Sequence, residues 1–111
     1  MSRFIVITLL LVSALSLTNS CKKASDVPGA NEVFIQGMAF SPSTITVTAG
    51  TTITWTNKDA ATHNVTSNPA GSFSSGPISK NGTYPHLFST VGTFHYICTI
   101  HPSMTGTVIV N

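Results

Sequence analysis

Short stretches in which apolar and polar residues alternate constrain this chain more than any other feature of its sequence. Residues 44–48 read "TITVT" and residues 52–56 read "TITWT", so an apolar side chain recurs at every second position in both. A period of two places these side chains on one face of an extended strand, and Ala49-Gly50 between the two stretches predicts a tight turn. No stretch long enough for an α-helix shows the period of about 3.6 residues.

Further short strands are predicted toward the C-terminus. Residues 84–89, 93–98 and 105–110 are rich in β-branched and aromatic residues, and Val91-Gly92 separates the first two stretches. Seven or eight short strands with turns at this spacing predict an all-β fold, either an antiparallel sandwich or a small barrel.

The N-terminal segment has the composition of an export signal. Arg3 supplies one positive charge, and residues 4–17 form an apolar run that is shorter than the ~20 residues of a membrane span. The polar residues that end at Cys21 resemble a bacterial lipoprotein signal, although Leu17 lies one position earlier than the usual leucine. We predict a signal peptide at residues 1–20 and a lipid on Cys21; an ordinary cleaved signal and a Cys21–Cys98 disulfide are the alternatives.

The rest of the chain is long enough for one small domain. The polar residues 21–31 predict a flexible tether, and residues 32–111 predict the globular domain. Lys58 and Lys80 balance Glu32 and Asp59 within this domain, so its formal charge is zero. Such a surface offers nothing to nucleic acid, and we expect a monomer that meets its partners through apolar or neutral polar surface.

The cysteine near the C-terminus needs an explanation. If Cys21 carries a lipid, Cys98 is the only thiol left in an oxidising compartment, where a free thiol is liable to oxidation or pairing. Alternation along residues 93–98 places Cys98 on the same face as Phe94 and Tyr96, which is the better candidate for the core. Metal ligation and burial as a small apolar residue would both explain Cys98.

Three other side chains can meet this thiol. His63 shares a face with Val65 on a short predicted strand, and His101 and Met104 follow Cys98 at steps of three residues. A thiolate, two imidazoles and a thioether are poor ligands for Ca²⁺ or Mg²⁺, and structural zinc seldom takes Met. Two His and one Cys with a long axial Met are typical of a blue-copper electron-transfer site.

Two segments of the sequence resemble the plastocyanin-like cupredoxins. They are "FSPSTITVTAGTTITWTNKDAATHNV" at residues 40–65 and "GTFHYICTIHPSMTGTVIV" at residues 92–110. They match the family's His on an inner strand and its Cys-x-x-His-x-x-Met loop, and the short loop is most similar to that of amicyanin-type members. The resemblance covers roughly residues 32–111 and implies a Greek-key β-sandwich of seven or eight strands.

The resemblance also implies which side chains bind a single copper ion. One copper ion would be bound by the Nδ1 atoms of His63 and His101 and by the Cys98 thiolate, with Met104 as the axial ligand.

Neighbouring residues would support these ligands. The family implies that Asn64 braces the ligand loop and helps to direct a backbone N–H toward the Cys98 sulfur, while Pro102 stiffens the loop. Ile100 stands where many members have Pro, which predicts a softer loop and a shifted reduction potential.

The implied function is one-electron transfer between extracytoplasmic redox proteins, with no catalytic residues. The protein would be periplasmic or on the cell surface, tethered to the membrane through Cys21. His101 would be the ligand closest to solvent, and Ile100, Pro102 and residues 69–71 would form an uncharged docking rim around it.

Other functions remain as alternatives. A copper-trafficking or storage protein would use the same ligands, but extra Met or His clusters are expected there and this sequence has only three Met and four His. A metal-free binding sandwich would need no convergence of ligands. An enzyme is least favoured, because copper oxidases and nitrite reductases resembling this fold need further copper centres.

Individual residues also have purely structural explanations. His63 could be a hydrogen-bonded core residue, and Met104 could fill irregular space in the core. His86 and His95 fall outside the motif, and we predict surface or edge positions for both.

Overall fold

The computed structural model describes residues 27–111, so Cys21 and the predicted signal peptide lie outside the described residues. Within this range the chain forms eight strands: β1 (Glu32–Ile35), β2 (Phe40–Ser41), β3 (Thr44–Val47), β4 (Thr51–Asn57), β5 (Thr66–Ser67), β6 (Thr83–Phe88), β7 (Gly92–Ile97) and β8 (Thr105–Val110). These residues include no helix that is long and apolar enough to cross a membrane.

The strands form two four-stranded sheets, in the orders β2-β1-β4-β6 and β3-β8-β7-β5. The predicted all-β sandwich is therefore confirmed. The prediction that it is antiparallel was wrong, because β1 pairs with β4 and β3 pairs with β8 in the parallel direction. Alternation reports which face of a strand is buried, and it carries no information about the direction of the neighbouring strand.

The turn between β3 and β4 crosses from one sheet to the other. Thr51 N donates to Thr48 O at 3.2 Å in this turn, and Gly50 adopts a φ of 92° there. This left-handed conformation carries little steric cost for glycine. Because β3 and β4 belong to different sheets, the alternating residues of both strands face the same interior from opposite sides.

Aromatic residues fill the space between the sheets. The Trp55 side chain on β4 is fully buried, and its ring lies 5.3 Å from the ring of Tyr96 on β7 in an edge-to-face contact. Burial raises the pKa of Tyr96 to about 12, so its hydroxyl stays neutral. The other buried core residues are Val33, Ile35, Phe40, Ile45, Val47, Ile53, Val65, Phe73, Ile78, Phe88, Cys98, Met104, Val108 and Val110.

The two histidines outside the motif lie where the sequence predicts. His95 is exposed on β7, and its Nδ1 lies 3.1 Å from Thr107 Oγ1. His86 is half-buried on the edge strand β6, with its ring 4.8 Å from that of Phe88, and this burial lowers its pKa.

The hydrogen-bonded domain begins before Glu32, within the predicted tether. Asn31 O accepts from Thr54 N at 3.0 Å, and Glu32 N donates to Gly29 O at 3.2 Å. The last residues of the predicted tether thus extend β1, an inner strand of the first sheet.

Replacing Gly106 with Ala tests the packing of the two sheets. A Cβ at this position would overlap the Tyr96 ring, coming within 2.7 Å of its Cε1. We expect Gly106→Ala to lower the free energy of unfolding by about 1–3 kcal/mol, because an overpacked core must shift to accept the methyl group. Urea denaturation would measure the change.

The matched control is Thr105→Ala, which also introduces Ala on β8 but at an exposed position. It should change stability by less than about 0.5 kcal/mol. Equal effects of the two substitutions would show that Tyr96 does not pack tightly on Gly106.

Candidate metal centre

His63 lies in the segment that crosses from β4 to β5. Its backbone forms a two-way bridge with Ile78, in which His63 N donates to Ile78 O at 3.1 Å and Ile78 N donates to His63 O at 2.7 Å. The side chain is 0% exposed. A single bridge flanked by loops thus holds a fully buried imidazole at one end of the sandwich.

The buried Asn57 side chain organises the loop before this histidine. Its Nδ2 donates to Ala61 O at 2.8 Å and to Ile78 O at 2.9 Å, and its Oδ1 accepts from Asp59 N at 2.9 Å. The last of these is a local turn of the kind that Asn side chains favour. Asn57 therefore joins the end of β4 to both segments that carry the His63 bridge.

The loop at residues 98–104 connects β7 to β8, and the ladder between these strands fixes its ends. The register pairs Ile97 with Thr105, and Cys98 N donates to Met104 O at 3.1 Å just beyond. Met104 N donates to His101 O at 2.9 Å, which closes a turn with Pro102 at its second position. Proline is favoured there because its fixed φ suits the turn.

The loop and the bridge bring three donor atoms together. Cys98 Sγ lies 3.8 Å from His63 Nδ1 and 3.9 Å from His101 Nδ1, and the two imidazole rings are 5.0 Å apart at 61°. All three candidate donor atoms lie within 4.8 Å of one another. The Cys98 side chain points inward, as the sequence predicts, and its thiol is free and 0% exposed. His101 is half-buried.

These distances fit one shared metal ion. A sulfur about 2.3 Å and a nitrogen about 2.0 Å from a first-row metal, about 120° apart, would be separated by about 3.7 Å. The separations in the structure are 3.8 Å and 3.9 Å. One thiolate and two imidazoles form a donor set that suits copper.

Met104 is the remaining residue of the predicted ligand set. It is 3% exposed and belongs to the core cluster that contains Cys98. Its backbone bonds to Cys98 and His101 hold it beside these two residues.

Asn64 links the His63 segment to the ligand loop. Its backbone N lies 3.5 Å from Cys98 Sγ as a donor to the sulfur. Its side chain bonds to Thr99 twice, with Nδ2 donating to Oγ1 at 2.7 Å and Oδ1 accepting from the backbone N at 2.9 Å. The contact of Asn64 with Thr99 therefore fastens both donor-bearing segments together.

Sequence reasoning missed Asp59, which it used only as a charge. Asp59 Oδ2 lies 3.0 Å from His63 Nε2, on the side of the ring opposite Cys98, and the carboxylate also accepts from Gly37 N and Met38 N. Burial raises the pKa of Asp59, but the two backbone N–H groups and His63 lower it, and the net pKa is below the ordinary value. The signal in the sequence was an acidic residue four positions before His63, inside a turn.

The predicted docking rim is only partly assembled. Ile100 is 49% exposed and Pro102 is exposed, so both lie at the surface beside His101. Residues 69–71 do not belong with them: Asn68 N donates to His95 O at 2.8 Å, and Pro69 lines a cleft with Phe94. The prediction for residues 69–71 was wrong because β5 runs antiparallel to β7, which carries the chain away from Cys98.

Comparisons with known proteins agree with this geometry. Residues 27–111 match the model of a family described as copper binding proteins, plastocyanin/azurin family. Amicyanin-alpha from Methylorubrum extorquens is 39% identical over 92 residues, which are 74% of this chain and 72% of that protein. A solved amicyanin variant in its oxidised state superposes with a TM-score of 0.70 at 35% identity, over 75% of this chain and 83% of the other.

An enzyme shares the same fold over a fraction of its length. A copper-containing nitrite reductase from Thermus scotoductus superposes with a TM-score of 0.69 at 25% identity, over 77% of this chain but 22% of the reductase chain. Most of that enzyme therefore has no counterpart in the present chain.

The sandwich and its buried histidine–cysteine cluster define the class of protein as a cupredoxin, a carrier of single electrons on one type 1 copper ion. The chain belongs to the plastocyanin/azurin family of copper-binding proteins.

Replacing Asn57 tests how the His63 loop is held. Asn57→Ala removes a buried side chain that donates to two carbonyl groups and accepts from one N–H. Each buried group left without a hydrogen bond costs about 1–3 kcal/mol. We expect the free energy of unfolding of the copper-free protein to fall by about 3 kcal/mol in urea denaturation.

Asn31→Ala serves as the control, because Asn31 is exposed. It should lower the free energy of unfolding by less than about 0.5 kcal/mol. If Asn57→Ala lowers the free energy of unfolding no more than Asn31→Ala does, water replaces the amide and other bonds hold the loop.

Proposed function

We propose that His63, Cys98, His101 and Met104 bind the copper ion, and that the protein passes electrons between redox proteins outside the cytoplasm. The observation that supports this proposal most directly is the position of Cys98 Sγ, which faces the Nδ1 atoms of both histidines at 3.8 Å and 3.9 Å. The fold itself thus holds these donors at distances that one metal ion can span.

Copper bound at this position supplies a one-electron redox couple. The chain provides a thiolate that favours Cu(I) and imidazoles that suit both oxidation states. The donor-bearing segments are fastened by the His63 bridge with Ile78 and by the contact of Asn64 with Thr99. Little therefore has to move when the charge of the site changes by one.

Asn64 and Pro102 are assigned supporting roles at this site. Asn64 N–H donates to the thiolate sulfur and withdraws negative charge from it, which is a means of setting the reduction potential. Pro102 restricts the backbone of the turn that carries His101.

His101 is the proposed route for the electron. It is half-buried while His63 and Cys98 are fully buried, and the uncharged side chains of Ile100 and Pro102 lie beside it at the surface. Transient redox complexes bury less than about 1,200 Å², so a small apolar patch around one ligand suffices.

We further propose that the protein is exported, acts as a monomer, and is tethered to a membrane through lipidated Cys21. The apolar run at residues 4–17 and the sequence before Cys21 support this proposal. Residues 1–20 are then removed, and the tether predicted at residues 21–31, whose last residues bond to the domain, links the lipid to the sandwich.

Electron carriage is favoured over copper trafficking by the burial of the donors. Proteins that exchange metal readily need accessible ligands, whereas His63 and Cys98 are 0% exposed. A carrier is also favoured over an enzyme, because the nitrite reductase match spans 22% of that chain.

Copper titration of the purified protein tests the proposed ligands. The full chain would carry Cys21→Ser, which leaves Cys98 as its only thiol. One equivalent of Cu(II) should give an intense visible band from thiolate-to-copper charge transfer, which a reductant bleaches reversibly.

Two variants test whether Cys98 is the thiolate ligand. Cys98→Ser should abolish the band, whereas His95→Ala, which removes an exposed imidazole, should leave it unchanged. A colourless wild-type sample would falsify the proposed site and favour a metal-free binding module.

A charge beside His101 tests the docking surface. Ile100→Glu should slow electron self-exchange between two copies of the protein by about tenfold or more at low salt, because the like charges repel at the contact. The effect should weaken in high salt. Nuclear magnetic resonance line broadening in mixtures of the oxidised and reduced protein measures this rate.

The matched control is Leu87→Glu, which introduces the same charge at an apolar position that is 55% exposed on β6. It should have little effect on self-exchange. If both variants slow the reaction equally, electrons do not leave preferentially through His101.

A further inference from the structure

Asp59 contacts both the metal centre and a neighbouring turn. Its Oδ2 lies 3.0 Å from His63 Nε2 and accepts from Met38 N at 3.0 Å, while its Oδ1 accepts from Gly37 N at 2.8 Å. The Asp59 side chain is 18% exposed and that of His63 is 0% exposed. The carboxylate is thus largely enclosed and has a donor on each oxygen.

The turn between β1 and β2 holds the carboxylate in place. Gly37 and Met38 adopt φ values of 64° and 59° there, and Gln36 N donates to Ala39 O at 3.0 Å across the turn. Successive backbone N–H groups in a turn can point to one side and form a concavity that binds an anion. The position of Asp59 is therefore set by the backbone, and not by His63 alone.

An ionised carboxylate fixes the tautomer of the histidine. It can only accept hydrogen bonds, so Nε2 of His63 must carry the proton in their contact. With the proton of the neutral tautomer on Nε2, the lone pair belongs to Nδ1, the nitrogen that lies 3.8 Å from Cys98 Sγ. This is the form of the imidazole that a metal requires at Nδ1.

The negative charge acts on the metal centre as well. A carboxylate that accepts from a metal-bound imidazole makes that ring a stronger donor to the metal. The sequence neighbour Lys58 does not neutralise it by contact, because Lys58 Nζ lies over the Phe34 ring at 4.6 Å from its centre. The charge therefore favours the more positive oxidation state of a bound ion.

We propose that Asp59 is a positioning residue that holds His63 in its Nε2–H tautomer and stabilises Cu(II) relative to Cu(I). This inference rests on the proposed copper site, and it assigns a role in that site to a residue outside the ligand set and its predicted supports.

Asp59→Asn tests the proposal in the full chain that carries Cys21→Ser. The amide keeps the size of the side chain, but it loses the charge and one of the two acceptor oxygens. We expect the affinity for Cu(II), measured by competition with a chelator, to fall about tenfold or more, as is usual when the partner of a metal-bound histidine is removed. The affinity for Cu(I) should fall less.

Glu32→Gln is the matched control. It also converts a carboxylate to an amide, at a residue whose side chain contacts Gly29 N and Thr56 Oγ1 at the other end of β1 from the Gly37 turn. It should leave both copper affinities within about twofold of the starting protein, because its hydrogen bonds are with Gly29 and Thr56 and not with a proposed ligand. Equal changes in Cu(II) affinity for the two variants would overturn the proposal and limit Asp59 to holding the turn.

A second measurement needs neither a variant nor copper. The ring ¹⁵N shifts of His63 in the metal-free protein should report a proton on Nε2, the nitrogen that contacts Asp59. A proton on Nδ1 would overturn the proposal even if Asp59→Asn fails to fold. Because this measurement does not involve copper, it tests the tautomer of His63 independently of the proposed copper site. A protein that binds no copper but shows the Nε2–H form would refute the proposed function and retain the Asp59–His63 contact.

Discussion

The contact between Trp55 and Tyr96 is the one on which the metal centre depends. The two residues belong to different sheets and pack edge to face at 5.3 Å in the middle of the core. Two residues beyond Trp55 the chain reaches Asn57, which organises the His63 loop, and two residues beyond Tyr96 it reaches Cys98. Because the His63 loop leaves β4 in one sheet and the Cys98 loop leaves β7 in the other, the spacing of the sheets contributes to the separation of the donors, and an aromatic pair is well suited to fix that spacing.

The polar groups at this end of the sandwich are buried with their hydrogen bonds made. Among the described residues the buried Asn57, His63 and Ser67 side chains each have partners in the surrounding backbone or side chains, whereas the Trp55 Nε1 and Tyr96 hydroxyl groups in the core have none. A buried polar network is stable only when its members are satisfied, and it then favours a single arrangement. The same bonds that stabilise the loops therefore keep the donor atoms at metal-binding distances.

Much of this arrangement could be predicted from the sequence, because it follows from local rules. Alternation located the strands and the inward faces of Trp55 and Tyr96, and the spacing of Cys98, His101 and Met104 placed them in one turn. Strand direction could not be predicted, since β3 and β8 pair in parallel across most of the chain. Asp59 was missed for the related reason that its other partners, Gly37 and Met38, lie 22 and 21 residues earlier and only the fold brings them near.

The complete burial of Cys98 also determines how the protein behaves before it receives copper. A thiol reacts with oxidants as the exposed thiolate, and the sulfur at 0% exposure is shielded by the loop at residues 98–104 and by the segment around Asn64. The loop must open before an oxidant or another thiol can reach the sulfur. In oxidising surroundings we therefore expect the lifetime of the copper-free protein to depend on how often this loop opens, because the hydrogen bonds that shape the binding site also shield the thiol.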